Sequence, residues 1–226
     1  MSEPAHESPR RDEVQRVADA LRALIDCFVA TEAPIEEFGG VADELEAVAA
    51  RLGAYPQGHL FVGFSEAANA HGGMAGGFDH SPVMGTLNPL APPLRLDVGD
   101  DEVTGSVTLG SAYEGPPGFV HGGILAAVFD ELLGLTQTLS GRPGMTGRLT
   151  VSYRAPTPLH RALTLRGAVK SANGRKILCH GTIHAGDVLC AEAEGLFISI
   201  DPERFVEMRD RRDEAVLHAR GDVAAD

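Results

Sequence analysis

Residues Gly115 to Gly134, reading GPPGFVHGGILAAVFDELLG, hold the types and spacing that could act on an electrophilic carbonyl. Gly122 and Gly123 open a nearly all-apolar helix, and Asp130 plants a carboxylate in its middle. A first turn without side chains presents free backbone N–H groups, and the helix dipole adds partial positive charge there, so developing negative charge would be held well. Asp130 lies eight positions past Gly122, which at about 1.5 Å rise per residue puts the two roughly 12 Å apart along the helix. One copy of the helix cannot aim both at one carbonyl. If both serve one substrate, the donor end comes from one chain and the carboxylate from another, which implies a dimer with the helices side by side.

The elements that must position these residues follow from periodicity. Val14, Val17, Leu21, Leu24, Ile25 and Phe28 fall at helical spacing and predict an amphipathic helix over 11–30. A second helix over 34–52 carries Ile35, Phe38, Val41, Leu45, Val48 and Leu52, with Gly39-Gly40 marking either a kink or a late start at Val41. Gly53 to Gly77 is so rich in glycine that it reads as a mobile loop, and prolines break up 82–93. The pattern then changes to strands: 94–98, Val103–Leu109, Thr146–Ala155, Leu163–Ser171, Ile177–Ala185 and Val188–Ser199, with the apolar helix between the second and third. Asn173-Gly174 and Gly186-Asp187 predict tight hairpins that make the last three strands an antiparallel meander. A helix apolar nearly all round needs cover on several sides, which a strongly curved sheet supplies. The fold class is α+β, with one core and a helical extension.

Composition narrows the partners. The net charge of −13 over 226 residues argues against nucleic acid or an anionic membrane surface, both of which need basic patches. No apolar run approaches the ~20 residues of a membrane span. Cys27, Cys179 and Cys190 lack the pattern of a disulfide scaffold or zinc site, so a reducing cytoplasm is expected, with no metal and no cofactor. His180 and His184 share a strand face, but no third ligand accompanies them. Cys179 and Cys190 read as packing residues, because a turn at Gly186-Asp187 pairs Cys190 with Ile183.

Residues 82–200 resemble the hotdog-fold acyl-CoA thioesterases, in the branch with His-Gly-Gly at the start of the central helix. The resemblance rests on His121-Gly122-Gly123 with Asp130 nine residues after the histidine, on Gly118 three before it, and on Tyr153-Arg154-Ala155-Pro156 ending the next strand. It implies an antiparallel curved sheet wrapped around a long central helix, acting on acyl-CoA as a homodimer or dimer of dimers with its active site at the subunit interface. Residues 1–81 are then an N-terminal extension and Gly-rich loop, and 201–226 a charged C-terminal helix or tail. The implied reaction is hydrolysis of a fatty- or aryl-acyl thioester to free acid and CoA. Gly122 or Gly123 N–H would form the oxyanion hole, Asp130 of the partner would be general base or nucleophile, and Thr146 would position the water. Many members carry Asn six residues before the histidine, where this chain has Gly115.

Asp130, between Phe129 and Leu132, is expected to be desolvated and so a better base. Glu131 reads as a solvated or dimer-contact residue, and His121 either fixes the turn into the helix or meets the substrate. Arg154, Arg175 and Lys176 are the basic candidates to meet CoA phosphates. The second His-Gly-Gly, at His71-Gly72-Gly73, lacks helix and carboxylate and receives no catalytic role. Two other readings keep the fold: a non-catalytic acyl-CoA-binding sensor, and an acyl-thioester hydratase or dehydratase.

Overall fold

A computed structural model describes residues 9–56, 78–92, 94–142 and 144–199. The second His-Gly-Gly, most of the expected 53–77 loop and the 201–226 tail lie outside the described residues. Two helices lead, α1 (Pro9–Ala30) and α2 (Ile35–Gly53). Gly39 and Gly40 do not delay the start of α2, which begins at Ile35 and runs through both. Phe28 and Phe38 meet edge to face at 6.1 Å and tie the two helices together. No residue of α2 is buried within the single chain, although its apolar stripe is intact.

The remaining elements are β1 (Arg95–Val98), β2 (Glu102–Thr108), the central helix α3 (Gly122–Thr136), β3 (Gly144–Tyr153), β4 (Ala162–Asn173), β5 (Lys176–Ala185) and β6 (Val188–Ser199). The six strands form one antiparallel sheet in the order β1-β2-β4-β5-β6-β3. Helix α3 touches every strand, as an apolar helix wrapped by a curved sheet must. Both predicted hairpins form. Asn173 pairs with Lys176, so the first turn centres on Gly174-Arg175, one residue later than the Asn-Gly reading. Gly174 (φ +56) and Gly186 (φ +60) each take the first central position, in the left-handed region that suits glycine.

The register of the last hairpin differs from expectation. Ala185 pairs with Val188 and His184 with Leu189, but Ile183 then pairs with Ala191, leaving Cys190 as a β-bulge. The bulge turns two successive side chains, Cys190 and Ala191, inward. It also frees the Cys190 carbonyl to accept from the N–H groups of Arg154 (2.7 Å) and Ala155 (3.0 Å), which anchors the end of β3.

The helix seats on glycines. Gly167 on β4 pairs directly with Gly181 on β5, and Gly195 lies on β6. A Cβ at Gly167 would stand 2.2 Å from Thr136 Oγ1, and one at Gly181 would stand 3.0 Å from a Leu133 methyl. The missing side chains let Leu132, Leu133 and Thr136, all fully buried, press onto the sheet. The Thr136 hydroxyl is already committed to the Leu132 carbonyl at 2.7 Å and has little freedom to retreat. Gly167→Ala should therefore cost about 1–3 kcal/mol through overpacking. Thermal unfolding measures this, and Gly39→Ala, facing open space on α2, should not reproduce the loss.

Candidate active site

The turn into α3 is built from backbone. Gly118 (φ +82) closes a tight loop in which Phe119 N–H donates to Pro116 O and Gly115 N–H to Phe119 O, both at 2.9 Å. Gly115 packs on His121, where a Cβ would lie 2.7 Å from His121 Cα. An asparagine cannot stand there without moving that backbone, which accounts for the departure at this position. His121 is the N-cap residue, its Nδ1 accepting from Gly123 N–H at 3.0 Å. Of the four N–H groups that a helix start leaves without intrahelical partners, His121 N–H reaches Tyr113 O, Gly123 N–H reaches His121 Nδ1 and Ile124 N–H reaches His121 O. For the Gly122 N–H no acceptor occurs among the described residues.

Gly122 borders a groove of about 580 Å³ walled by Phe119, Val120, Leu125, Tyr153 and Pro156. The Tyr153 hydroxyl donates to Gly122 O at 2.8 Å and the ring lies where a Gly122 side chain would stand, so β3 clamps the helix end. Sequence reasoning used Tyr153 only as part of a motif and missed this contact.

Asp130 opens onto a second cavity, of about 280 Å³, shared with Glu131, Met145, Thr146 and Phe197. Thr146 Oγ1 donates to Asp130 Oδ1 at 2.9 Å. A bulge at Gly147 interrupts β3–β6 pairing immediately after Thr146, the kind of irregularity that re-aims a neighbouring side chain. Strand β3 thus touches both ends of the site, Thr146 at the carboxylate and Tyr153 at the helix start. The expectation that Asp130 is desolvated fails within the single chain, where it is exposed.

The adjacent carboxyl is the covered one. Glu131, expected to be solvated or a dimer contact, is half-buried within the single chain and accepts from Ser81 Oγ at 2.6 Å. Burial pushes it above the usual carboxylate range, the Ser81 hydrogen bond pulls it back, and the charge of Asp130 adds to the rise. Ser81 belongs to a segment gripped by α1: Arg11 binds Asp79 with two hydrogen bonds of 2.9 and 2.8 Å, and Arg22 donates to Ala91 O at 3.1 Å and Thr86 O at 2.5 Å. Nothing in the local sequence around Ser81 announces a partner 50 residues away.

The basic candidates do not converge in one chain. Arg154 borders the Gly122 groove but pairs with Glu192, its Nε 3.0 Å from Oε1, and holds that carboxyl below its ordinary range. Arg175 and Lys176 lie at the other end of the sheet, the end of Gly144 and Met145, with Arg175 Nε donating to Ser199 O at 3.2 Å. Among the described residues no group of His, Cys, Asp and Glu is placed to hold a metal, and the three cysteines form no disulfide. Burial pushes the Cys179 thiol up to about 12, which leaves it inert as a nucleophile.

A long helix seated in a curved antiparallel sheet is the architecture of the hotdog thioesterases. The thioesterase superfamily model matches residues 117–192. A crystal structure of a thioesterase superfamily protein is 38% identical and superposes with a TM-score of 0.72 over 82% of this chain and 94% of that one. The chain belongs to the thioesterase superfamily. Among curated relatives, the acyl-coenzyme A thioesterase THEM4 of Mus musculus is 37% identical over 97 residues, 42% of each chain. The Xenopus laevis THEM4 is 37% identical over 95 residues, covering 41% of this chain and 43% of that protein. The Homo sapiens acyl-coenzyme A thioesterase THEM5 is 30% identical over 96 residues, 42% of this chain and 39% of that protein. The chain spans less than half the length of these curated relatives. No helix among the described residues is long and apolar enough to cross a membrane.

The Arg11–Asp79 pair gives a pH test of the arm. Burial acts to raise the Asp79 carboxyl, but the hydrogen bonds from Arg11 and Thr86 and the Arg11 charge win and lower it from 3.8. Stability from a lowered carboxyl is present above its unfolded value and is lost as pH falls through the folded one. Asp79→Asn should therefore destabilise the protein at pH 7, with the difference from wild type vanishing well below pH 3.8; urea unfolding at both pH values measures it.

Proposed function

We propose that the chain is an acyl-CoA thioesterase, hydrolysing a fatty- or aryl-acyl thioester to the free acid and CoA. The observation that carries this reading is the spare Gly122 N–H at the start of α3, opening on an apolar groove. The helix dipole and that donor suit the oxyanion formed when the thioester carbonyl is attacked. With Gly123 N–H engaged by His121, the oxyanion role falls on Gly122, and His121 serves as the cap that orients it.

Asp130 supplies the second half. As general base it takes a proton from water while the water oxygen bonds to the carbonyl carbon; collapse of the intermediate breaks the C–S bond and the departing sulfur receives the proton. As nucleophile its oxygen forms an acyl anhydride with release of thiolate, and water then cleaves the anhydride. Thr146, bonded to one Asp130 oxygen, leaves the other free for either role and lies where it can also hold the water. The roughly 12 Å between Gly122 and Asp130 along one helix requires a second copy to complete each site. Among the described residues β3 pairs only with β6, and its outer edge, with the exposure of Asp130, leaves room for that copy. The assembly is a homodimer or a dimer of dimers. Arg175 and Lys176, at the Asp130 end, and Arg154, at the Gly122 end, then approach one CoA from two subunits. The unpaired cysteines suit the reducing cytoplasm.

Thiol release from short, long and aromatic acyl-CoA esters tests the reading. Asp130→Asn should lose about 10²-fold or more in kcat while the protein stays folded and binds the ester. Binding without thiol release by the wild-type chain would instead favour the sensor or hydratase reading.

A further inference from the structure

The reaction as derived leaves one half-buried carboxyl of the catalytic cavity unused. Glu131 borders the same cavity as Asp130, and its position is set from outside the central helix. The Ser81 hydroxyl accepts from Val83 N–H and Met84 N–H, both at 3.2 Å, which occupies its lone pairs. Its one proton is therefore directed at Glu131 Oε1, 2.6 Å away. The segment is stiffened by Gly85 N–H to Ser81 O at 3.0 Å and Leu87 N–H to Asp79 O at 2.8 Å, and it is bolted to α1 through Arg11 and Arg22. A chain of direct contacts runs from the N-terminal arm to the cavity in which Asp130 acts.

We propose that Glu131 is a positioning residue whose Ser81-held carboxyl sets the charge of the catalytic cavity, and that the N-terminal arm holds it there. This rests on the hydrolase reading of Asp130. Among the described residues, few groups face Glu131. Asp130 is on its own helix, and Ser81 is on the 78–92 segment with His80 and the Asp79–Arg11 pair beside it. The residues of β3 and β6 that share the cavity, Gly144, Met145, Thr146 and Phe197, are uncharged. Its burial and the nearby Asp130 charge both favour the neutral acid, while the Ser81 proton favours the anion. Glu131 therefore takes on its charge above the usual carboxylate range, at a point set by its burial and its partners.

The test is the pH profile of kcat/KM for thiol release by the full chain, measured for wild type, Glu131→Gln, Ser81→Ala, the double variant and Asp130→Asn. Glutamine keeps an oxygen for the Ser81 proton and removes the charge. Its profile should lose the inflection that wild type shows above the usual carboxylate range, where the half-buried Glu131 takes on its charge in the cavity of Asp130. Ser81→Ala should move that inflection to higher pH, because the Ser81 proton favours the Glu131 anion, and should add nothing once residue 131 is glutamine. Superimposed profiles for folded Glu131→Gln and wild type overturn the proposal. Should Glu131→Gln fail to fold, the Ser81→Ala profile decides by the same criterion. Loss of turnover in Asp130→Asn beside unshifted Glu131 and Ser81 variants removes this proposal alone, whereas Asp130→Asn with full turnover removes the hydrolase reading and this proposal together.

Discussion

Close approach of α3 to the sheet at Gly167, Gly181 and Gly195 is the constraint on which the rest of the molecule depends. A Cβ at Gly167 or Gly181 would meet an α3 side chain at 3.0 Å or less, and one at Gly195 would meet Leu133 at 3.1 Å. The helix consequently has one seat and one rotation about its axis, with Leu125, Val128, Phe129, Leu132, Leu133 and Thr136 all buried. Dispersion over that contact is strong only because the surfaces touch without gaps. A sheet bearing alanines there would hold the helix farther away, and the two ends of the site would lose their partners on β3.

That single rotation determines what the helix presents outward. At about 100° per residue, Asp130 and Glu131 sit at roughly equal angles on either side of the outward direction. Neither is distinguished from the other by α3. The 78–92 segment breaks the symmetry by covering Glu131 with Ser81, while Thr146 meets Asp130 from β3. One carboxylate is left exposed and its neighbour is half-buried. The arm thus bears on the site without lining the groove at Gly122.

What the sequence discloses and what it hides divides along the range of the interaction. The hairpins follow from Gly174 and Gly186, and the apolar helix with its His121-Gly122-Gly123 start follows from local pattern, so both are legible. Thr146 is singled out through a family motif as a water-positioning residue, but its hydrogen bond to Asp130 is visible only in the structure. The bulges at Cys190 and Gly147 are not legible, because a bulge reflects which side chains the core accepts, and its effect is to shift register by one residue. The relative burial of Asp130 and Glu131 is likewise hidden, since it depends on a proline-broken segment that has no period to read. Gly39 and Gly40 mislead in the other direction: helix propensity marks them as an interruption, and the uninterrupted α2 shows a weak local preference overridden by its surroundings.

The order of elements along the chain bears on how the molecule is made. Helix α3 precedes β3, β4, β5 and β6 in the chain, and these include the three strands whose glycines receive it. During synthesis its apolar surface emerges with only β1 and β2 available, and the greater part of its cover is still to be translated. The β4–β5–β6 meander can form quickly through two two-residue turns, but the seat exists only when it is complete. The interval between the helix and the end of β6 is therefore the period in which a nascent chain is most exposed to self-association, and slower elongation after Thr136 would lengthen it.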